Sequence, residues 1–186
     1  MASINYDKMK PIQTSYRGTL FRSRLEARWA AFFDLLEWRW IYEPDDLGQW
    51  APDFALIGLT RPIYVEVKPI SAPDEETIIK MLTSPGEHLL VGLGPLGEGC
   101  CCGGSQRIGW FVEHSFHATD DAALIRVNFP GLPNSWGLIS DIMSYEDRIT
   151  GLPKEGDSHM VQPRDGEIQR LWAEATNTVR REYRTE

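Results

Sequence analysis

Residues 52–68 read PDFALIGLTRPIYVEVK, which is two short apolar runs joined by turn-forming residues. The runs Asp53–Ile57 and Ile63–Lys68 are rich in the apolar, aromatic and β-branched side chains that favour strands. Gly58 and Pro62 mark the turn between them, and so short a connection favours antiparallel pairing. The stretch therefore predicts two neighbouring antiparallel strands.

The second run separates its charged side chains from its apolar ones. Because side chains alternate between the two faces of a strand, Ile63, Val65 and Val67 share a face that is predicted to join the core. Glu66 and Lys68 then lie on the opposite face, roughly 7 Å apart along the strand. An acid and a base are thus held on one surface of the sheet.

Asp53 adds a second carboxylate, because antiparallel pairing brings it beside the strand that carries Glu66 and Lys68. Two carboxylates are the hard oxygen ligands that Mg²⁺ takes from proteins. A nearby ammonium group can orient or deprotonate a water, or neutralise charge that develops on a phosphoryl group. The pattern indicates metal-dependent phosphoryl transfer, to which Glu26 could add an outer or second-metal carboxylate.

Each of these residues also has a structural interpretation. Ser23 and Glu26 form the S-x-x-E pattern of a capping box at a helix start. Asp53 follows a proline and suits a turn or a strand entry. Glu66 and Lys68 suit the solvated face of a strand. These alternatives remain open at the level of sequence.

The elements around this stretch are predicted in the order helix, three strands, helix, strand. The first helix carries an apolar stripe at helical spacing. The predicted elements are a helix over Ser23–Glu37, strands over Trp38–Glu43, Asp53–Ile57 and Ile63–Lys68, a helix over Pro73–Leu82 and a strand over His88–Leu93.

The rest of the chain is predicted to consist of an arm and an extension. Residues 1–18 form a mobile or loosely docked N-terminal arm, residues 19–93 a core, and residues 94–186 an extension packed on that core. The extension is predicted to hold a Gly/Cys-rich loop over 94–104, a strand over Ile108–Glu113, a helix over Thr119–Val127, Pro/Gly-rich loops over 128–137 and 151–166, and an amphipathic helix over Glu167–Tyr183.

Pro52-Asp53, Glu66-Val67-Lys68 and this order of elements together resemble the PD-(D/E)XK nuclease superfamily, which includes restriction enzymes, Holliday-junction resolvases and phage exonucleases. Residues 16–29, YRGTLFRSRLEARW, are also similar to a small nuclease-like group common in bacteriophage genomes. The resemblance covers about residues 16–93. It implies an α/β protein with a mixed sheet and a restriction-endonuclease-like αβββαβ core.

The resemblance also implies a function and a set of site residues. It implies a phage-type nuclease that hydrolyses phosphodiester bonds of DNA with Mg²⁺ or Mn²⁺. The implied catalytic residues are Glu26, Asp53, Glu66 and Lys68, and the implied metal set is Asp53, Glu66 and Val67. Because no added reading element is recognisable, we expect structure-selective or nonspecific cleavage.

The charge distribution is uneven along the chain. The net charge is −8, which argues against a protein that coats nucleic acid nonspecifically. Four arginines nevertheless bracket the start of the first helix and are predicted to contact phosphates: Arg17, Arg22, Arg24 and Arg28. The alternative is a solvated helix face in which Arg28 pairs with an acid.

Several other classes of protein are disfavoured. No apolar run approaches the ~20 residues of a membrane span, and the N-terminus lacks the apolar stretch of a secretory signal. The consecutive Cys100–Cys102 match neither a disulfide framework nor a zinc site, nor does the pair His114 and His117. We expect reduced thiols in a cytoplasmic protein, in the host cytoplasm if the chain is phage-encoded. Trp50 is the tryptophan expected at the surface.

Other functions stay open. A nuclease scaffold could act as a binding or inhibitory module on a protein partner, with residues 94–186 as the interaction surface. A homodimer is a further alternative. DNA is the partner that the resemblance implies.

Overall fold

The structure is a computed structural model that describes residues 11–44, 46–58, 60–98, 106–113, 118–140, 146–152 and 160–182. These residues form the mixed α/β fold that the sequence predicts, with three helices and a large mixed sheet. In chain order the elements are β1 (Thr14–Tyr16), β2 (Thr19–Phe21), α1 (Arg24–Leu35), β3 (Trp40–Tyr42), β4 (Phe54–Ile57), β5 (Pro62–Val67), α2 (Glu75–Met81), β6 (Glu87–Val91), β7 (Gly97–Glu98), β8 (Gln106–Glu113), β9 (Ala118–Phe129), β10 (Leu132–Ser140), β11 (Met160–Val161) and α3 (Glu167–Glu182).

A β-hairpin stands where the sequence predicts a mobile arm. β1 and β2 pair antiparallel across the two-residue turn Arg17-Gly18. Both turn residues have positive φ, 47° and 78°, which matches the right-handed twist of hairpin strands. Tyr16 and Phe21 are buried in the core. The prediction of an arm over 1–18 is therefore wrong for the hairpin, and residues 1–10 lie outside the described residues.

Within the described residues, the large sheet has nine strands. Its main path runs β10-β9-β8-β6-β5-β4-β3, with β11 added beside β9 and β7 beside β8. β5 and β6 are parallel, and every other pair is antiparallel, including the predicted pair β4 and β5. Between α1 and β6 the elements follow the predicted order of helix, three strands, helix and strand.

Helices cover both faces of this sheet. On one face α1 and α3 pack together, with the rings of Trp29 and Trp172 4.8 Å apart. The apolar face of β5 joins this core, since Ile63 and Val65 are fully buried there, as the alternation predicts. On the other face Met81 of α2 belongs to a second apolar cluster. Glu66 of β5 therefore points away from α1 and α3.

The predicted helix over Thr119–Val127 is a strand, and residues 128–137 form the end of β9, a turn and part of β10 instead of a loop. The physical reason is that β9 buries both of its faces. Ala122 and Leu124 join the main core, while Ala123, Ile125 and Val127 join a third apolar cluster. A strand buried on both sides has a continuous apolar run, which local periodicity does not distinguish from a helix.

The sheet continues from the predicted core into the predicted extension, because β6 pairs with β8. The C-terminal amphipathic helix is confirmed as α3. Cys100–Cys102, His114 and His117 lie outside the described residues, so the expectations for them stay predictions. In the described part of the chain, no helix has the length and apolar character needed to cross a membrane.

Candidate active site

The register of β4 and β5 brings two carboxylates together. Phe54 pairs with Val65, so Asp53, one residue earlier, lies opposite Glu66. The Asp53 amide donates to the Val65 carbonyl at 2.9 Å, and the Val67 amide donates to Asp53 Oδ2 at 2.7 Å. Asp53 is only 4% exposed and Glu66 only 3%. The predicted convergence of the two acids is present, and both are buried.

The Glu66 carboxylate is held from two directions. Trp50 Nε1 donates to Glu66 Oε2 at 2.7 Å. The other oxygen, Oε1, lies 2.9 Å from Lys68 Nζ and 3.8 Å from Lys80 Nζ. Trp50 is 1% exposed, so the expectation that it lies at the surface is wrong. Its ring packs into the cluster under α2 because its indole N–H has a buried acceptor there.

Burial and neighbouring charge make Asp53 hard to ionise. Burial, followed by the charges of Glu66 and Glu26, raises the pKa of Asp53 to about 7. The Val67 amide and the Arg22 guanidinium oppose this rise. Two adjacent carboxylates in a site of low dielectric do not readily both ionise, because their negative charges repel each other. The site therefore favours a proton or another cation.

Lys68 carries a positive charge beside this pair. Burial alone would lower the pKa of Lys68, but the hydrogen bond and charge of Glu66, with the charge of Asp53, hold it above its ordinary value. Lys68 is partly exposed, and its ammonium group lies where the two acids meet solvent. It stays protonated at neutral pH.

Glu26 takes part in both of its alternative interpretations. Ser23 is the N-cap of α1: its hydroxyl accepts from the Glu26 amide at 3.1 Å and donates to Glu26 Oε1 at 2.7 Å. The second oxygen, Oε2, accepts from the Tyr42 hydroxyl at 2.6 Å. Glu26 is also near enough to Asp53 to raise its pKa. The helix cap and the position beside the acid pair are therefore compatible.

The sequence predicts that Arg22 contacts a phosphate, and in the structure its side chain contacts acidic residues. Its guanidinium forms an ion pair with Asp53, contacts Glu43 at 3.1 Å and lies 3.9 Å from Glu26. Its backbone amide donates to the Tyr42 hydroxyl at 3.0 Å. The side chain is about half exposed. Arg22 therefore supplies positive charge to the acid pair from the solvent side.

The remaining predicted arginines lie elsewhere. Arg17 pairs with Asp34 at 2.9 Å, and its backbone amide donates to Glu182. Arg24 and Arg28 lie one turn apart on α1. Within the described residues Arg28 has no acidic partner, so the alternative in which an acid neutralises it is wrong for this part of the chain.

No family model, curated protein or solved structure matches this chain. The interpretation of the site therefore depends on its own geometry.

The donor set is small but chemically suited to a hard divalent cation. In both Asp53 and Glu66, one carboxylate oxygen accepts a hydrogen bond from an N–H group. The other oxygen forms an ion pair with a partly exposed cationic side chain. The Val67 side chain is a hydrocarbon, so only its backbone carbonyl could be a ligand. Within the ranges described, no group of three or more His, Cys, Asp or Glu residues is arranged around one point. Mg²⁺ would fit, provided that Arg22 or a lysine yields its carboxylate oxygen.

Three contributors were not predicted from the sequence: Trp50 and Lys80 at Glu66, and Tyr42 at Glu26. Trp50 lies in a polar loop whose approach to Glu66 has no local signature. Lys80 is the single base of α2, and its role depends on where that helix packs. Tyr42 could have been suspected, because it ends the strand that pairs with β4.

Proposed function

We propose that this protein is a metal-dependent DNA nuclease of the PD-(D/E)XK type, with a restriction-endonuclease-like core between α1 and β6. The observation that carries the proposal is the buried pair Asp53 and Glu66 on adjacent strands, with Lys68 at 2.9 Å from Glu66. A purely structural strand pair has no need to bury two mutually repelling carboxylates.

The proposed metal ligands are Asp53, Glu66 and the Val67 carbonyl. A bound Mg²⁺ or Mn²⁺ would supply charge stabilisation for the phosphoryl oxygens during hydrolysis. The repulsion that raises the pKa of Asp53 would become a source of affinity for the cation, since a dication neutralises both acids.

The chain's own groups take the remaining roles. Lys68 is held protonated, so we assign it to stabilising negative charge on the phosphate rather than to accepting a proton. Trp50 fixes the Glu66 carboxylate by its hydrogen bond to Oε2, which leaves Oε1 directed at the lysines. Glu26 acts as a positioning residue. It accepts a hydrogen bond from the Tyr42 hydroxyl, and that hydroxyl accepts one from the Arg22 backbone amide.

DNA is the proposed substrate, cleaved structure-selectively or nonspecifically. A binding or inhibitory module on a protein partner is the second candidate function. One observation favours it: the positive charges of Arg22, Lys68 and Lys80 lie against the two acids. In that case the acids and bases would be a closed ion-pair network with no catalytic role.

A cleavage assay separates the two candidates. Labelled single-stranded, duplex and four-way-junction DNA is incubated with the wild type, Lys68→Ala and Lys154→Ala, in Mg²⁺, Mn²⁺ or EDTA. The nuclease proposal expects cleavage in metal alone, lost in Lys68→Ala and retained in Lys154→Ala, a charge-matched control remote in sequence. No cleavage of any substrate would favour the binding module, and full activity of Lys68→Ala would contradict the proposed catalytic site.

A further inference from the structure

Three arginines from two helices form a group that we call the arginine cluster: Arg24 and Arg28 of α1 and Arg180 of α3. We propose that this cluster binds a backbone phosphate of DNA that flanks the phosphate at the acid pair. The proposal rests on the proposed function, because it takes the same DNA as its ligand. It adds a contact from the C-terminal helix, which the sequence does not associate with nucleic acid.

The packing of the two helices brings the three side chains together. Arg24 and Arg28 are four residues apart and share one face of α1. α3 lies against α1 through Trp172, whose ring is 4.8 Å from Trp29 and 5.6 Å from Phe32. Arg180 lies about two turns further along α3. Its side chain is exposed, and its charge is near enough to the Arg28 guanidinium to lower the pKa of Arg28.

The Arg28 guanidinium has an unused donor. Its Nε is buried and has no hydrogen-bond partner among the described residues. The Arg28 and Arg180 guanidinium groups also have no ion pair in that part of the chain. Buried polar groups are normally satisfied, so a buried donor without a partner points to a ligand.

The like charges of Arg180 and Arg24 repel that of Arg28. Burial, with the charges of Arg180 and Arg24, lowers the pKa of Arg28. Acids outnumber bases by 27 to 19 in this chain, yet none of the described acids pairs with Arg28 or Arg180. An anion with several acceptor oxygens relieves the repulsion and satisfies the forked guanidinium donors, and a phosphate diester has this chemistry.

The position of the cluster suits a flanking phosphate. Glu26, which borders the acid pair, lies between Arg24 and Arg28 in sequence, with two residues or ~3 Å of helix rise to each. The two arginines and Glu26 project from different sides of a helix whose diameter is ~10 Å with side chains. One DNA strand, at ~3.4 Å rise per nucleotide, could reach both places within a few nucleotides.

A salt titration of DNA binding tests the proposal without requiring catalysis. The affinity of labelled single-stranded and duplex DNA is measured by fluorescence anisotropy in EDTA at several KCl concentrations. The proteins are the wild type, Arg28→Gln, Arg180→Gln and the control Arg181→Gln. Arg181 is the adjacent exposed arginine of α3, and its Nε donates to the Asn177 carbonyl.

The proposal expects Arg28→Gln and Arg180→Gln each to weaken binding roughly 10-fold at ~0.1 M salt. The slope of log affinity against log salt falls by ~0.9 for duplex or ~0.7 for single-stranded DNA. Arg181→Gln keeps the wild-type slope. Equal slopes for Arg180→Gln and Arg181→Gln, or no DNA binding by the wild type, would overturn the cluster.

The two proposals fail separately in this design. Altered slopes in a protein that cleaves nothing in Mg²⁺ would support the cluster and remove the nuclease. Metal-dependent cleavage with unaltered slopes would support the nuclease and remove the cluster.

Discussion

Asp53 and Glu66 face each other across β4 and β5 as two buried acids, and burial together with the charge of Glu66 raises the pKa of Asp53 to about 7. The folded chain therefore carries an electrostatic cost at this point. Arg22 and Lys68 reduce that cost from the solvent side. A divalent cation would remove more of it, which gives the site a measurable dependence on pH and on metal.

Without metal, stability is expected to fall as the pH rises. The pKa of Asp53 is higher in the folded chain than its usual 3.8, so the folded state binds the proton more tightly than the unfolded state. Folding is then favoured at low pH, and this contribution is lost as the pH rises through about 7. Relative to Asp53→Asn, the free energy of unfolding should fall by about 3 kcal/mol between about pH 5 and pH 8. Urea denaturation at both pH values measures it.

Mg²⁺ should reverse this loss in the wild type at about pH 8 and leave Asp53→Asn unchanged, because the variant lacks one of the two carboxylates proposed to bind the cation. A wild type whose stability relative to Asp53→Asn is the same at both pH values would contradict the coupling of the two acids.

Trp50 is expected to matter for metal binding as well as for stability. Trp50→Phe leaves Glu66 Oε2 without its N–H donor and should lower the free energy of unfolding by about 1–3 kcal/mol. Since Glu66 loses its orientation, Mn²⁺ affinity should fall roughly 10–100-fold. Calorimetric titration with Mn²⁺ measures the second effect.

Trp40→Phe is the matched control, because Trp40 Nε1 also donates to a carboxylate, that of Asp34, at 2.9 Å. It should lose stability and keep its Mn²⁺ affinity. If both variants kept wild-type affinity, Trp50 would have no part in the metal site.

Arg22 is expected to set the pH at which the acid pair accepts metal. Its charge opposes the rise in the pKa of Asp53, so Arg22→Gln should raise that pKa further. The pH midpoint of Mn²⁺ binding should then move upward relative to the wild type. Arg17→Gln, which breaks the separate pair with Asp34, should leave the midpoint unchanged. A midpoint that moves downward in Arg22→Gln would contradict this prediction, because it would show that competition between Arg22 and the metal for Asp53 outweighs the effect of Arg22 on the pKa.

The arginine cluster predicts an unusual effect on stability. Arg180→Gln removes a charge that repels Arg28, so the unfolding temperature should stay constant or rise. A structural arginine would instead lose stability on substitution. Differential scanning calorimetry of Arg180→Gln and Arg181→Gln at low salt compares the two, and a clear fall confined to Arg180→Gln would indicate a structural role.

Elements with one buried face could be predicted from local pattern alone. The alternation of Ile63, Val65 and Val67 identifies β5 and its core face because the sheet buries that face against α1 and α3. The opposite placement of Glu66 follows from the same alternation. The pairing with β4 follows from the short turn, so the convergence of Glu66 with Asp53 could also be predicted from the sequence.

Elements decided by distant contacts could not be predicted. Asp120 and Asp121 followed by Ala122 resemble a helix start, yet pairing with β8 and β10 makes this segment a strand. Trp50 lies in a polar loop, and its burial depends on a carboxylate 16 positions away. Arg180 meets Arg28 only because two helices at opposite ends of the chain pack together.

The most direct test of the account is a calorimetric titration of Mn²⁺ into the metal-free protein at about pH 8, since it does not depend on choosing the right DNA. The proteins are the wild type, Asp53→Asn, Glu66→Gln and the control Glu76→Gln, an exposed acid of α2. We predict saturable binding to the wild type and the control. Both acid-pair variants should lose more than roughly 100-fold in affinity, beyond what loss of an outer hydrogen-bond partner causes. Equal Mn²⁺ binding by all four proteins, or none by the wild type, would contradict it.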